Sequence, residues 1–575
     1  MKQMQLTWPL LPLAELGISR SAAHTAAPRP QPSTRPGELS LPRRMERGFG
    51  WLAQRHLLAA FLIALLPLLL RALLLPSFPV PQPAAHDEFS YLLAADTFAH
   101  GRLTNPTPPF WVHFESEHIS VRPTYMSMYQ PGQGIMLAVG ELLGQPWLGV
   151  WLSVGLMCGT LCWMLQGWMP SRWALLGGIL AALSLGIFSY WMNSYWGGAV
   201  PAWAGALVLG AWPRIEKSQK IRHALLLAAG LGILANTRPF EGFVLGLTMA
   251  AILLAWMCGS RRPPLKKMLS RVLLPMALVL TSVAVMMGYY FWRNTGSPWQ
   301  MPYLLNRQTY AITPVFAWQK LATSHPVYHN PMMRKFFLQW EPAFFLQHTR
   351  HFAQFTAMKA AIFWRFFVGP LFSIPLLFLP WILRDRRVRP LLIVLAVAAL
   401  ALFVEAWAEP HYAAPFTCAI YAVIMQGMRH LWVWRKDGRP LGAALCRALV
   451  AACVVVTAIQ TGAAARGVQL QSMPQGENPL RARVARQLRE MPGKHLVLVQ
   501  YEPNHDPTQE WVYNSADIFS SKVVWARSIN PQSDADLASY FSDRQAWTIN
   551  PDAPSAHLVV FRPAPAAAAP PNASR

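Results

Sequence analysis

Charged residues are scarce in this sequence. Only 13% of its 575 residues are Asp, Glu, Lys or Arg, while 53% are hydrophobic, too little charge for a water-soluble surface. Acidic residues are rarer than basic ones, with 26 Asp and Glu against 50 Lys and Arg, and the formal net charge is +24. Because the basic residues cluster between apolar runs, they indicate orientation in a bilayer and not nucleic-acid binding. The composition predicts a multi-pass membrane protein.

Cysteine and phosphate-binding motifs are also lacking. The six cysteines lie in or beside apolar segments without metal-ligand spacing to His, so no disulfide framework or metal cluster is indicated. A glycine-rich phosphate loop and a dinucleotide fingerprint are absent, which argues against direct use of a soluble nucleotide donor. That absence is consistent with a lipid-linked donor.

Apolar runs long enough to span a bilayer recur along the chain. The first, 56–75, has roughly 20 residues and no small-residue cleavage site, so we expect a retained span and not a signal peptide. With the later runs it predicts about eleven transmembrane helices. The later runs are 147–168, 173–190, 197–212, 223–235, 240–258, 272–291, 360–383, 391–407, 413–430 and 441–463.

The basic clusters favour one orientation. With a cytoplasmic N-terminus, nearly every inner loop carries Lys or Arg, as at 214–222 and 384–389. Segment 132–143 is then expected to be an interfacial or re-entrant helix, because counting it as a span would invert every later loop. The outer face receives two long loops, 79–146 and 292–359.

Composition divides the chain into four parts. The predicted fold is an all-α polytopic membrane bundle followed by a small external α/β domain, with strands at 496–499, 523–526 and 558–561 and a helix at 534–543. The parts are a disordered basic cytoplasmic tail 1–53, a membrane domain 54–463, the external domain 464–562 and a disordered tail 563–575.

Two adjacent carboxylates, Asp87 and Glu88, follow the first span after a Pro-rich linker. A carboxylate beside hydrocarbon is costly unless it is hydrated, paired or used, so the pair indicates function. Such carboxylates can hold a cation, or orient and deprotonate a hydroxyl acceptor. The alternative is structural, with Asp87 as the N-cap of the helix that follows.

The surrounding residues carry a family resemblance. The segment resembles the D-E-x-x-Y-x-x-x-A-x-x-x-x-x-G pattern that opens the first external loop of GT-C membrane glycosyltransferases. That branch includes protein O-mannosyltransferases, aminoarabinose transferases acting on lipid A, and lipopolysaccharide-core transferases. Gln130 departs from the double proline usual before the second helix. The matching residues are Asp87, Glu88, Tyr91, Ala95 and Gly101.

The resemblance implies an inverting hexosyl- or pentosyltransferase of the bacterial inner (plasma) membrane. It implies a sugar donor on polyprenyl phosphate and an external hydroxyl acceptor on a glycolipid, polysaccharide or protein. Asp87 is then the base or acceptor-orienting carboxylate and Glu88 its partner. Inversion needs no second carboxylate as nucleophile.

Arg238 is the first candidate for the donor phosphate. It lies in a polar break between two apolar runs, where a guanidinium can make bidentate phosphate contacts. The alternative is an ion pair with Glu241 that only ties the hairpin together. Arg293, Arg307 and Arg334 on the second long loop are further candidates.

Other outer residues are candidates for substrate binding. Aromatic side chains there suit either a sugar face or anchoring at the membrane interface. The turn with Glu405, Glu409 and His411 is a weak basis for a divalent cation, so metal dependence stays open. The candidates are Tyr91, Asn193, Tyr195, Trp196, Glu241, Glu409 and His411.

Two other classes of function compete with an enzyme. A lipid or glycan transporter or flippase would also be a polytopic bundle, although internal repeats and broken helices are not evident in the sequence. An inactive assembly component is the third alternative. Replacing Asp87 by Asn separates them, because only the enzyme should lose turnover while it stays folded.

Overall fold

The computed structural model describes residues 41–260, 262–323, 326–407, 409–468 and 478–562. Most of the predicted N-terminal tail and the whole C-terminal tail lie outside this part of the chain. The described residues are mainly helical. The helices are α1 Leu41–Gln54, α2 His56–Leu73, α3 His86–Ala99, α4 Pro131–Leu142, α5 Trp147–Trp168, α6 Ser171–Leu185, α7 Ala199–Ser218, α8 Ile221–Ala235, α9 Pro239–Cys258, α10 Leu265–Met268, α11 Leu274–Thr295, α12 Pro302–Tyr310, α13 Pro331–Lys335, α14 Glu341–Arg350, α15 Phe352–Phe367, α16 Gly369–Leu376, α17 Leu379–Arg384, α18 Arg389–Val404, α19 Thr417–Val433, α20 Leu441–Ala464, α21 Pro479–Glu490 and α22 Pro531–Tyr540.

Several helices are long and apolar enough to cross a membrane, as expected for a multi-pass membrane protein. Five pass by length and composition: α2, α5, α9, the continuous helix Leu265–Thr295 and α20. A bent pair, α15 with α16, makes a sixth, and α6, α8 and α18 are shorter apolar helices. The predicted number of about eleven spans therefore stays a prediction.

The predicted span 360–383 is not one helix. The chain bends by 96° between α15 and α16, and α17 follows after a further break. Gly369 has a φ of +57°, which favours glycine, and prolines follow it at the starts of both later helices. A broken helix is thus present although the apolar run conceals it.

Residues 41–53 correct the predicted disordered tail. They form most of α1, because Phe49, Leu52 and Ala53 pack into the main hydrophobic core. Apolar residues recur in this segment with helical spacing between the arginines. The prediction of disorder was based only on the content of Pro, Ser and Arg and therefore missed this spacing.

Segment 132–143 corresponds to α4, whose 12 residues are fewer than a span needs. It packs closely on α5, where a Cβ added to Gly140 would lie 2.3 Å from the backbone nitrogen of Gly149. Its interfacial or re-entrant location remains a prediction.

The strands form two sheets. In the C-terminal segment, residues 478–562, the order is β4-β3-β5-β6, with β3 parallel to both neighbours and β6 antiparallel to β5. Three of these strands and α22 fall near their predicted positions, whereas β5 was not predicted because polar residues interrupt its apolar pattern. The strands are β1 Ile119–Ser120, β2 Met126–Ser127, β3 Lys494–Val499, β4 Val523–Arg527, β5 Arg544–Ile549 and β6 Val559–Val560.

Helix α3 lies between two hydrophobic cores. Tyr91 and Ala95 belong to the core of the membrane helices. Phe89 and Leu93 belong to a second core with β3 and β4 of the C-terminal segment. Its first turn is therefore held from both sides.

Candidate active site

The first turn of α3 is capped by Glu88. Its Oε2 accepts hydrogen bonds from the backbone amides of Ala84 (2.9 Å) and Ala85 (3.0 Å), and Oε1 accepts one from Tyr195 (2.8 Å). Ala85 is the N-cap residue, so the alternative that Asp87 caps this helix is wrong. Glu88 joins α3 to the turn before α7, and Asp87 is left for other contacts.

Asp87 is buried among three side chains. His118 Nδ1 lies 2.8 Å from Oδ1, and the hydroxyl of Tyr129 donates to the same oxygen. His86 Nε2 is 3.7 Å from Oδ2, and the two imidazole rings are 4.3 Å apart. Oδ2 receives no hydrogen bond from the described residues.

The pKa values of the two adjacent acids shift in opposite directions. Burial would raise the pKa of Asp87, but the charges of His118 and His86 and the hydrogen bonds from His118 and Tyr129 together hold it well below its usual value. Burial raises the pKa of Glu88 despite its backbone hydrogen bonds. Asp87 is therefore the carboxylate that stays ionised.

His118 has a left-handed backbone, with φ of +59°. Its carbonyl accepts a hydrogen bond from Ser90 Oγ (2.7 Å) and another from the amide of Met128 (3.2 Å). Ser90 Oγ also lies 2.7 Å from Ser127 Oγ. Helix α3 and the β1–β2 hairpin thus fix His118 beside Asp87.

His86, Asp87 and His118 fit a divalent cation. One ligating atom from each lies within 4.8 Å of the others. Nδ1 of His86 is buried without a hydrogen-bond partner among the described residues, and two imidazoles with a carboxylate are donors that Zn²⁺ accepts. A second such group, Asp96, His100 and Glu141, lies at the opposite end of α3.

Arg238 makes the predicted ion pair but is not saturated by it. Its Nε lies 3.2 Å from Glu241 Oε1, and its guanidinium stacks at 4.0 Å over the ring of Tyr412. Nη2 is buried without a hydrogen-bond partner among the residues described. This geometry is compatible with both predicted roles of Arg238, which are contact with the donor phosphate and an ion pair with Glu241 that ties the hairpin together.

The other predicted arginines are differently placed. Arg307 is bound by Glu341, with Nη1–Oε1 at 2.6 Å and Nη2–Oε2 at 3.1 Å, and it also donates to the carbonyl of Thr313. Arg293 and Arg334 are exposed, and Arg293 Nη1 donates to the hydroxyl of Tyr289 in the same helix. Of the two partly buried arginines, Arg238 has more capacity left for a ligand, because both Nη atoms of Arg307 are occupied.

His411 is held by Tyr190. Its backbone N–H donates to the hydroxyl of Tyr190 (3.0 Å), and the same hydroxyl is 3.0 Å from Nδ1. The hydroxyl can donate to Nδ1 or accept from it, and when it donates, the imidazole proton lies on Nε2. Burial, then the charge of Arg238, keep the pKa of His411 well below its usual value.

Glu409 shares this electrostatic environment. Burial and the charge of Asp87 raise its pKa to about 7, although Arg238 opposes the rise. The charges of Asp87 and Arg238 both act on Glu409 and on His411. Four of the predicted site residues, from three separate parts of the sequence, therefore share one electrostatic environment.

The remaining candidates either pack on residues of the site or hold the turn before α7. Tyr91 stacks on Tyr129 at 4.6 Å, and Trp196 lies 5.2 Å from the ring of His411. Asn193 accepts from Arg71 Nε (3.0 Å) and donates to two backbone carbonyls. Tyr195 donates to the carbonyl of Pro81. Asn193 and Tyr195 thus support the fold of this turn.

The fold matches known structures although the sequence does not. No family model and no curated protein matches the chain. The oligosaccharyltransferase of Archaeoglobus fulgidus, crystallised with Zn and sulfate, matches at a TM-score of 0.50 and 11% identity, over 86% of this chain and 67% of that one. The chain has a GT-C-like fold.

ArnT from Cupriavidus metallidurans is also similar. Its apo structure gives a TM-score of 0.48 and its structure bound to undecaprenyl phosphate 0.45. Both are 14% identical to this chain and match over 85% of it and 92% of ArnT.

Sequence reasoning missed three residues of this candidate site. His86, His118 and Tyr129 contact Asp87, but only Asp87 and Glu88 were assigned to the centre. His86 precedes Asp87 directly, which is a usable signal. The other two are separated from it by 31 and 42 residues, so only the fold reveals them.

Proposed function

We propose that this protein is a membrane glycosyltransferase that moves a sugar from a polyprenyl-phosphate donor to a hydroxyl acceptor at the external face. The observation that carries the proposal is the buried, ionised Asp87, whose Oδ2 accepts no hydrogen bond from the described residues and whose charge acts, with that of Arg238, on Glu409 and His411. The GT-C-like fold supports it, since the oligosaccharyltransferase of similar fold also transfers glycans.

The proposed reaction is a single displacement with inversion. The acceptor hydroxyl binds at Asp87 Oδ2 and its oxygen attacks the anomeric carbon, while the bond from that carbon to the phosphate oxygen breaks. The phosphate leaves with the electron pair, and the hydroxyl proton passes to Asp87 and then to solvent. Because the pKa of Asp87 is low, it is a weak base that mainly orients the acceptor and accepts the proton late.

Arg238 is the proposed contact for the donor phosphate. Its Nη2 has no hydrogen-bond partner among the described residues and can bind an anionic oxygen. We assign to His411 the tautomer with the proton on Nε2, in which it supplies a second, neutral donor. An apolar cavity of about 530 Å³ is lined by residues of α7, α8, α9 and α11, among them Pro239, which follows Arg238 in the sequence. A polyprenyl chain suits this cavity because its lining is almost entirely apolar.

His86, Asp87 and His118 are the proposed ligands if the enzyme uses a divalent cation. The oligosaccharyltransferase of similar fold was crystallised with Zn. A cation there would neutralise negative charge on the donor phosphate. We therefore propose a divalent cation as cofactor.

The proposed orientation follows the basic loops: a cytoplasmic N-terminus, with the C-terminal segment and the long loops outside the inner membrane. The external domain is proposed to extend over 464–562, where the composition changes after the last predicted span. The proposed acceptor is a hydroxyl on a glycolipid, a polysaccharide or a protein.

The test is transfer by the purified, nanodisc-embedded protein. A panel of radiolabelled polyprenyl-phosphate sugars is incubated with membrane acceptors and wild type, Asp87→Asn or Asp543→Asn. Asp543 is an exposed carboxylate of the C-terminal segment and is the matched control. Loss of transfer only in Asp87→Asn supports the proposal. A folded wild type that transfers nothing from a broad panel contradicts it and favours a transporter.

A further inference from the structure

The C-terminal segment is hydrogen-bonded to the loop that carries His118. We call residues 115–118 the His118 loop. Ser116 Oγ donates to the carbonyl of Val512, and Arg527 Nη2 donates to the carbonyl of Glu115 (3.2 Å). Close to the loop, His113 donates from Nδ1 to the carbonyl of Arg527 (2.7 Å). Residues about 400 positions apart in the sequence thus share one set of contacts.

Arg527 is the centre of these contacts. It is 2% exposed, and its Nη2 also pairs with Glu510 Oε2. Its Nε and Nη1 have no hydrogen-bond partner in the described part of the chain, nor do the two buried carboxylate oxygens of Glu117. Arg527 therefore pairs with one buried acid, Glu510, and its positive charge also acts on a second, Glu117, next to His118 in the sequence.

The His118 loop needs such support. The left-handed backbone conformation of His118 is unfavourable for a residue other than glycine, and it persists only where contacts with neighbouring residues hold it in place. Ser90 and Met128 hold the carbonyl side of His118. The residues before it are held by the C-terminal segment.

We propose that Arg527 is a positioning residue for the Asp87–His118 pair, so that the C-terminal segment completes the active site. It acts through Glu115 and the His118 loop and does not touch the reacting atoms. The proposal rests on the glycosyl transfer proposed above.

The experiment compares three variants of the full chain in nanodiscs. Arg527→Met removes the guanidinium, whereas Arg527→Lys keeps the positive charge but lacks the planar set of N–H donors. Ser533→Ala is the matched control, because Ser533 Oγ contacts His113 Nε2 at 2.7 Å between the same two parts of the chain. Steady-state transfer and hydrogen exchange of the peptide 115–121 are measured for each.

The expected result is selective. Arg527→Met lowers kcat about 30-fold with little change in donor KM, since a misplaced catalytic group costs about this much. Its 115–121 amides exchange faster than in wild type, and Arg527→Lys recovers part of the rate. Ser533→Ala keeps kcat and the exchange of 115–121 close to wild type.

Two results would overturn the inference. One is a folded Arg527→Met with wild-type kcat and exchange. The other is an equal loss in Arg527→Met and Ser533→Ala, which indicates general destabilisation. If wild type transfers no sugar, the proposed function fails, whereas unchanged exchange in Arg527→Met refutes the positioning role on its own.

Discussion

Asp87 and Glu88 are neighbours in sequence with different duties. Asp87 faces two imidazoles and a phenol, whereas both oxygens of Glu88 accept backbone hydrogen bonds. The sequence is sufficient to identify the pair as functional candidates, because two adjacent carboxylates follow an apolar span. It does not show which acid binds backbone amides, because one of the amides on Glu88, that of Tyr195, comes from the distant turn before α7.

The tautomer of His411 gives a prediction. Asn in its place retains a polar atom near Nδ1, while Gln retains an N–H near Nε2. His411→Asn should raise the donor KM about tenfold, the cost of losing a hydrogen bond to a charged group, and His411→Gln should stay close to wild type. Titrating the donor in the transfer assay measures both. Equal KM values for the two variants would contradict the Nε2–H role.

The raised pKa of Glu409 predicts a pH-dependent stability. Its value rises from 4.5 to about 7 on folding, so its stabilising contribution is complete below about 4.5 and is lost as the pH rises through about 7. Relative to Glu409→Gln, the unfolding temperature of wild type should fall between pH 5 and pH 8. Thermal unfolding in nanodiscs across this range measures it. Parallel profiles for the two proteins would refute the shift.

At the scale of elements, close helix packing depends on glycine. A Cβ at Gly205 in α7 would lie 1.9 Å from the carbonyl oxygen of Pro415, so backbone must move. We expect Gly205→Ala to destabilise the protein by about 1–3 kcal/mol. The control is Gly462→Ala in α20, where nothing lies within 4 Å. Thermal unfolding that ranks the two variants equally would contradict this packing argument.

The sequence predicts elements well where one pattern dominates. Long apolar runs become α2, α5, α9 and α20 with only small shifts at their ends. The run 360–383 fails because apolarity does not register the bend at Gly369. Strand β5 fails because Arg544, Gln545 and Thr548 mask its alternation, although parallel pairing with β3 stabilises it.

At the scale of the whole molecule, orientation is testable with single cysteines. Of the six native cysteines only Cys258 is exposed, so Cys258→Ser gives a quiet background. A membrane-impermeant maleimide should label Ser520→Cys in intact cells and Lys220→Cys only in opened ones, because basic loops stay inside. The reverse pattern would invert the proposed topology.

The position of α3 between two cores has a consequence for engineering. One helix supplies Tyr91 to the membrane core and Phe89 to the core with β3 and β4, so neither half can be removed without uncovering the other. Truncation after α20 would uncover the Phe89 face of α3. The protein is therefore not modular: a foreign C-terminal segment must fit this face, because α3 cannot be exchanged without disturbing the contacts of Tyr91 in the membrane core.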